Sequence, residues 1–346
     1  MTLNNVTDTP LPIIQAPMAG AQGVEMALAV GEGGGLGSLP CALLSAEVLA
    51  ASLARLASSG RPYNVNFFCH QPPTPDAGRE QRWRDALRPY YAELGLDADA
   101  ASSAPVRQPF SHAQADIVAP FAPPVVSFHF GLPEPELLER VKGWGSRVWS
   151  TATTVAEALW LAERGVDAII AQGSEAGGHR GMFLSDDVTT QVGTLALVPQ
   201  IAAAVSVPVI AAGGIADAQG VRAALAAGAS AVQLGTTYLC CPEANTSALH
   251  RAALMSDAAR HTALTNLFSG RPARGIVNRL MRELGPMSDL PPAFPLASAA
   301  LAPLRAAAEK QGSGDFTSLW AGQNASGCKA MPAAELTRSL WEGGSA

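Results

Sequence analysis

The alternation of short apolar runs with stretches of helical periodicity constrains the fold of this chain more than any other feature. Helical segments such as 45–58, 154–164 and 218–227 separate the apolar runs. Parallel strands that are buried on both faces and joined by crossover helices produce this pattern. The runs predict eight strands, at residues 12–17, 35–39, 63–68, 125–130, 147–151, 168–172, 208–213 and 231–235. Eight strands of this kind predict an α/β protein with a (β/α)8 TIM barrel, because a closed barrel fits the count better than an open sheet.

Two regions depart from the regular repeat. Residues 69–123 form a long insertion after the third strand, rich in proline and alanine, and we expect it to overhang the barrel mouth as a lid. After residue 240 the strand pattern stops, and alanine-rich helical sequence interrupted by prolines follows. The sequence therefore predicts a barrel over 1–240 and a C-terminal helical cap over 241–346 that packs on it.

Composition narrows the functional classes. Hydrophobic residues make up 48% of the 346 residues and charged residues 15%, which allows a large core and argues against disorder. A net charge of -6 gives no attraction to phosphate backbones, so nucleic acid is excluded as an expected partner. The N-terminus lacks a basic stretch followed by an apolar run, and no apolar segment reaches the roughly 20 residues that span a bilayer. We expect a cytoplasmic protein with no membrane partner.

The cysteines do not indicate a disulfide framework or a metal site. There are five of them, an odd number, and none forms a C-x-x-C pair. Cys69 and His70 are adjacent, but no further ligands stand at metal-binding spacing around them. We therefore expect no metal.

The most informative stretch is AQGSEAGGHRG at residues 171–181, which begins where the sixth strand ends. Its four glycines are unsuited to a core, but they allow positive φ and close approach of the backbone to a flat ligand. The loop delivers His179 to the barrel mouth, where an imidazole can accept or donate a proton near neutral pH. We therefore interpret His179 as the catalytic residue.

A second group of residues predicts a phosphate site. Gly213 and Gly214 follow the seventh strand, and Gly235 and Thr236 follow the eighth. These two strand ends commonly bind phosphate in this fold, through backbone N–H groups freed by glycine. A monophosphate ligand follows, but these turns alone leave FMN, a sugar phosphate and a nucleotide all open.

Other strand ends favour a flavin. Ala16, Pro17 and Met18 after the first strand provide a flat apolar shelf for one face of an isoalloxazine ring. Asn66 and, two residues before it, Asn64 lie on the same side of the third strand, and Gln172 ends the sixth. Hydrogen bonds to the ring or ribityl chain would satisfy these polar side chains.

Successive motifs along the chain resemble those of class I nitronate monooxygenases, once called 2-nitropropane dioxygenases. The resemblance runs from residue 12 to about 281 and returns at LWAGQ, residues 319–323. The motifs are IQAPMAG at 14–20, NVNFFCH at 64–70, SFHFGLP at 127–133, the glycine-rich His179 loop, AGGI at 212–215 and SGRPARG at 269–275.

The resemblance implies an FMN-dependent oxidation of alkyl nitronates, such as propionate 3-nitronate, by molecular oxygen to a carbonyl compound and nitrite. His179 would be catalytic, acting on the nitro group as a hydrogen-bond partner or on the α-proton of a neutral nitroalkane as a base. The enzyme would be a monomer or a homodimer. The predicted FMN contacts are Ala16, Pro17, Met18, Asn66, Gln172, Gly177, Gly178, Gly213, Gly214, Gln233, Leu234, Gly235 and Thr236.

The chain departs from the family pattern at one point. The resemblance implies tyrosines and a lysine before the C-terminal helices, whereas residues 294–298 read FPLAS. On this basis we expect weaker binding of an anionic nitronate, and the physiological substrate is left open. Two alternatives also stay open: an NAD(P)H-dependent FMN reductase of quinones or enoyl thioesters, and a flavin-free barrel that binds a phosphate compound.

Overall fold

The computed structural model describes residues 6–98 and 107–343. Its strands are Ile13–Gln15 (β1), Gly37–Pro40 (β2), Tyr63–Phe68 (β3), Val125–His129 (β4), Arg147–Ala152 (β5), Ala168–Gln172 (β6), Gly178–His179 (β7), Val209–Ala212 (β8), Ala231–Leu234 (β9), Thr262–Thr265 (β10) and Ala273–Ile276 (β11). Its helices are Val24–Glu32 (α1), Ala46–Ser58 (α2), Ala77–Glu93 (α3), His112–Val118 (α4), Pro135–Lys142 (α5), Val155–Glu163 (α6), Thr194–Ala204 (α7), Ala218–Ala226 (α8), Ala248–Leu254 (α9), Arg279–Leu284 (α10), Ala297–Lys310 (α11) and Ala333–Glu342 (α12).

Eight strands form one parallel sheet that closes on itself. Their order is β1-β9-β8-β6-β5-β4-β3-β2, and the first and last strands of that order also meet. The Leu36 amide donates to the Ile13 carbonyl at 2.8 Å, and the Gln15 amide donates to the Leu36 carbonyl at 3.0 Å. The predicted TIM barrel is confirmed, and each predicted strand lies within two residues of its observed bounds.

The barrel is filled by side chains that alternate along the strands. Ile14, Leu36, Trp149, Ile170 and Ile210 are all buried in one interior cluster. Their neighbours in sequence point outward and pack against the surrounding helices, as the period of two requires. The barrel is therefore a packed core, and only its mouth is available for a ligand.

The inserted segment packs on the C-terminal segment. The Trp83 indole on α3 donates to the Ala297 carbonyl at 3.2 Å, and the Tyr91 hydroxyl donates to the Ala300 carbonyl at 2.6 Å. A hydrophobic cluster joins α3 to α10 and α11, so these helices share a core separate from that of the barrel. Residues 99–106 of the predicted insertion lie outside the described residues.

Helices follow residue 240 as predicted, but the expectation that strands stop there is wrong. Strands β10 and β11 form an antiparallel sheet there, and β7 adds the third strand from the loop that follows β6. Their pattern was missed because β11 reads ARGI, which lacks the alternation of a half-buried strand. The pairing of β7 with β11 crosses residue 240, and the domain boundary at that residue stays a proposal. No helix in the described ranges has both the length and the apolar character needed to cross a bilayer.

Candidate active site

The predicted site residues gather at the carboxyl ends of the barrel strands, which open at one mouth because the strands are parallel. Strand β9 lies between β1 and β8, with Leu234 paired to Gln15 and Gln233 paired to Ala212. The Ala16 amide donates to the Leu234 carbonyl at 2.8 Å. The loops after β1, β8 and β9 are thus neighbours in space.

The segment after β1 forms one edge of this mouth. Ala16, Pro17 and Met18 are all half-buried. A Cβ atom placed on Gly235 would lie 3.4 Å from Ala16 Cβ and 3.5 Å from Met18 Sδ. Glycine at that position therefore lets the turn after β9 lie close to the shelf that the sequence predicted for a flat ring.

The two predicted phosphate loops have backbones that favour glycine or expose amides. Gly213 has φ +118° and Gly214 has φ +72°, both in the left-handed region that side chains disfavour. Thr236 begins the 3-10 turn Thr236–Cys240, whose first amides have no acceptor inside the turn. Backbone donors of this kind suit the oxygens of a phosphate group.

A strip of C-terminal chain closes the outer side of these loops. The Gly322 amide donates to Thr236 Oγ1 at 2.9 Å, and Asn324 Nδ2 donates to the Gly214 carbonyl at 3.1 Å. A Cβ on Gly177 would lie 2.6 Å from Gly322 N, so close packing against this strip explains glycine there. The sequence did not lead us to predict this strip. The one sequence signal for it is the family resemblance that resumes at residues 319–323.

Two further predicted residues face unfilled space or lack a partner. Gly178 has φ +71°, and apart from its chain neighbours no heavy atom of the described residues lies within 4 Å of the position that its Cβ would take. Gln233 Oε1 is buried and has no hydrogen-bond partner among the described residues. An orphaned buried acceptor is unfavourable, so this atom calls for a donor from a bound group.

The two asparagines of β3 share one side of the strand, as predicted, but each already has a protein partner. Asn66 Nδ2 donates to Ser127 Oγ at 2.9 Å, and Asn64 Nδ2 donates to Ser38 Oγ at 3.0 Å. Asn64 Oδ1 is buried without a partner in the described part of the chain. A flavin contact from Asn66 stays a prediction.

The backbone of His179 is held from two sides. Its carbonyl accepts from Gln172 Nε2 at 3.0 Å and from His129 Nε2 at 3.2 Å, while the residue itself pairs with Ala273 in β11. Gln172 Oε1 also accepts from the Gly181 amide at 2.8 Å. Gln172 therefore fixes the loop that carries His179, and its predicted contact with a flavin is untested.

A hydroxyl group sets the protonation pattern of the His179 ring. His179 Nε2 lies 2.9 Å from Ser269 Oγ, and that hydroxyl donates its single proton to the Arg271 carbonyl at 3.3 Å. With that proton on the carbonyl, Ser269 accepts from Nε2–H, and this assignment of the tautomer leaves the lone pair on Nδ1 of the neutral ring. Nδ1 is the atom that can accept a proton from a substrate.

Aromatic rings surround the imidazole. The distances from the His179 ring centroid are 5.3 Å to Phe294, 5.5 Å to Trp320, 6.1 Å to Phe130 and 6.4 Å to Phe68. Such walls exclude water and lower the local dielectric, which strengthens any charge interaction inside the site.

Two guanidinium groups lie on these aromatic walls. Arg271 Cζ is 4.3 Å from the centroid of Phe130, and Arg107 Cζ is 5.9 Å from that of Phe294. Arg271 donates one N–H to the Met182 carbonyl, while its Nε is buried without a partner in the described chain. The site therefore carries positive charge, and at least one N–H donor of Arg271 has no acceptor among the described residues.

Three histidines near these cations are held neutral. Burial lowers the pKa of His70 to about 4 and that of His129 to about 3, and it holds the pKa of His179 well below its usual range. The positive charge of Arg271 lowers all three further, and Arg107 also lowers the pKa of His179 and His70. At neutral pH the site thus offers a neutral imidazole base flanked by fixed cations.

A separate cavity of about 500 Å³ lies outside the barrel, between α6 and α7. Its lining includes Glu157, whose carboxylate accepts from the Thr153 and Phe183 amides at 2.7 and 2.6 Å. That carboxylate anchors the loop after β7 and is already satisfied. None of the predicted site residues lines this cavity.

Comparisons with known proteins agree with the motifs. A family model described as nitronate monooxygenase matches residues 2–343. A nitronate monooxygenase of Pseudomonas aeruginosa is 43% identical, covering 96% of this chain and 95% of that protein. One of Paraburkholderia phytofirmans is 42% identical, covering 95% of this chain and 91% of the relative. The solved structure of a nitroalkane oxidase from Streptomyces ansochromogenes has a TM-score of 0.88 at 38% identity, covering 98% of this chain and 96% of that one.

Proposed function

This chain belongs to the nitronate monooxygenase family, and we propose that it uses bound FMN and molecular oxygen to convert alkyl nitronates to carbonyl compounds and nitrite. It is an oxidoreductase of nitronates. The observation that best supports the assignment is the neutral His179 ring, with Nδ1 free, in a mouth that also contains the guanidinium groups of Arg107 and Arg271.

The residues at the mouth fit FMN. The turns at Gly213, Gly214 and Thr236 would hold the single phosphate, and the shelf after β1 would lie along the ring. Gln233 Oε1 would accept a hydrogen bond from the bound group, which relieves its orphaned state. When bound, the flavin supplies the capacity to take electrons from the substrate and pass them to oxygen.

The protein binds the anion and moves one proton. Arg271, whose Nε lacks a partner in the described ranges, is placed to donate to the oxygens of a nitro or nitronate group beside His179. With a neutral nitroalkane, His179 Nδ1 accepts the α-proton. The tautomer fixed by Ser269 favours this role over hydrogen-bond donation to the nitro group, because the Nε2 proton is already used.

Substrate charge and imidazole basicity are linked. Burial depresses the pKa of His179, and the guanidinium groups depress it further when no anion is present. An anion that forms beside Arg271 screens that repulsion, so the affinity of the imidazole for a proton rises as the nitronate develops. The site therefore couples proton removal to stabilisation of the product anion.

One set of spectra tests the proposal. The purified protein should show flavin absorbance bands, and denaturation should release FMN, because the two glycine turns seat one phosphate and the sequence shows no adenosine site. Anaerobic addition of propionate 3-nitronate should bleach the bands, and readmitted oxygen should restore them. Rapid bleaching by NADH, with none by nitronate, would support the reductase alternative. A colourless protein would support a flavin-free barrel, and release of FAD would exclude FMN.

A further inference from the structure

Two free cysteines meet at the turn that follows β9. Cys240 is the last residue of the 3-10 turn Thr236–Cys240, and Cys328 lies on the strip of C-terminal chain that continues past Gly322 over this turn. The Cys328 thiol donates to the Thr236 carbonyl at 3.1 Å. The two thiols are within hydrogen-bonding reach of each other and share one hydrophobic cluster. Two segments that are far apart in sequence therefore place their sulfur atoms side by side.

Only packing and hydrogen bonds hold the strip against the turns after β8 and β9. A Cβ atom placed on Gly327 would lie 2.2 Å from the Ala216 carbonyl oxygen and 2.9 Å from Thr237 Cγ2, so glycine is required for this close approach. The amide of Gly322 and the side chain of Asn324 supply the hydrogen bonds described above. A covalent bond at Cys328 would add a permanent attachment next to Gly327.

The two thiols differ in acidity. The contact with Cys328 and the positive charge of Arg251 lower the pKa of Cys240 to about 7, although burial opposes them. The same contact, together with burial, raises the pKa of Cys328 well above its usual range. Burial also raises the pKa of the neighbouring Cys241 to about 12. Because the thiolate is the reactive form, an oxidant attacks Cys240 first, and Cys328 is its protonated partner.

We propose that Cys240 and Cys328 form a disulfide when the protein meets hydrogen peroxide, and that this disulfide fastens the strip to the turn Thr236–Cys240. Both side chains are buried, so the oxidant has to be small. The Cys240 thiolate attacks one peroxide oxygen. An S–O bond forms, the O–O bond breaks, and the departing hydroxide leaves as water with the proton that Cys240 released.

The second step closes the disulfide. The Cys328 sulfur displaces the hydroxyl group of the sulfenic acid, so that an S–S bond forms and the S–O bond breaks. The hydroxyl group leaves with the Cys328 proton as a second water. Two thiols thus lose two electrons, and these electrons reduce one peroxide to two waters.

The consequence for the flavin rests on the proposed function, in which the turn at Thr236 holds the FMN phosphate. Release of the phosphate requires the backbone of this turn to move away from it. A disulfide between Cys240 and Cys328 restrains that movement, because it ties the turn to the strip on its outer side. The oxidised protein should therefore retain FMN longer than the reduced protein.

Counting thiols tests the disulfide without any use of the flavin. Brief treatment with hydrogen peroxide, then denaturation and alkylation with N-ethylmaleimide, should lower the number of alkylated cysteines from five to three. A peptide map without reductant should show the two peptides joined. Cys240→Ser and Cys328→Ser should each keep all of their remaining thiols. Cys241→Ser is the matched control, because it removes the adjacent thiol and should still lose two.

The rate of FMN release tests the attachment. It is measured as the rise of flavin fluorescence after dilution into mild urea. Oxidised wild type should release FMN at least about 10-fold more slowly than reduced wild type, since a disulfide restrains opening by more than a single hydrogen bond does. Dithiothreitol should restore the fast rate, and peroxide should not slow the release from Cys328→Ser.

Each contrary result has its own meaning. Five alkylated cysteines after peroxide, or two thiols lost in Cys328→Ser, would overturn the disulfide pair. A disulfide that leaves the rate of FMN release unchanged would overturn its effect on the turn. A protein that binds no FMN would overturn the proposed function and that effect with it, whereas the thiol count would still decide whether the pair forms.

Discussion

Replacing His179 with asparagine should separate proton removal from the rest of the reaction. Asparagine keeps a hydrogen-bond donor of similar size but cannot accept a proton. Because burial and nearby cations hold the pKa of His179 well below its usual range, nearly all of the wild-type enzyme carries the neutral base at pH 7. At pH 7 the substitution therefore removes the full contribution of the base to the rate, and turnover of a neutral nitroalkane should fall by about 10²–10⁴-fold.

A preformed nitronate has no α-proton to remove at this step. Its oxidation should lose only what the imidazole contributes by contact, about 2- to 10-fold. Flavin content should stay close to that of the wild type, since the phosphate turns lie at the ends of β8 and β9 while His179 is on β7. Oxygen consumption is measured for both enzymes with the two forms of one compound at matched concentrations.

The control and the pH profile sharpen this test. Ser269→Ala removes the acceptor of Nε2–H but leaves the base, so the loss on the neutral nitroalkane should be nearer 10-fold, about one hydrogen bond. In the wild type, the rate with a neutral nitroalkane should hold as pH falls through 6.5 and decline only further down, because the depressed pKa keeps the imidazole unprotonated. If His179→Asn oxidises the neutral form as fast as the wild type does, His179 is structural and the mechanism is wrong.

Three further outcomes are expected. Gly214→Val should abolish flavin retention, because φ +72° strains a β-branched residue and the new Cβ would lie 3.3 Å from Glu175 Cβ. Gly145→Val controls for strain alone and should keep the absorbance bands, because Gly145 has φ +79° but no described residue beyond its chain neighbours within 4 Å of its Cβ position. Trp83→Ala should lower the free energy of unfolding by about 3–5 kcal/mol in urea titrations, through the cavity left between α3 and α11, and an unchanged midpoint would contradict that shared core. Acid should destabilise the protein, because His70, His129 and His179 have folded pKa values below the unfolded value of 6.5. The stability that these histidines contribute is present above pH 6.5 and is lost as the pH falls below it. A higher free energy of unfolding in acid would contradict this.

The sequence alone determined the barrel and the positions of its loops. Strands buried on both faces read as short apolar runs, and a parallel arrangement then places every following loop at one mouth. The alternation therefore fixed where His179 and the glycine turns had to lie before any contact was known. The glycines at 213 and 214 are also explained locally, since positive φ is a property of each residue's own backbone.

Contacts between distant segments were decided only by the tertiary structure. Ser269 sets the tautomer of His179 across 90 positions of sequence, and β7 finds its partner strand beyond residue 270. Arg107 meets Phe294 from an insertion whose course no periodicity predicts. Local patterns report backbone preference and burial, but they carry no information on which side chains meet when loops converge, and that convergence creates the charge and basicity of this site.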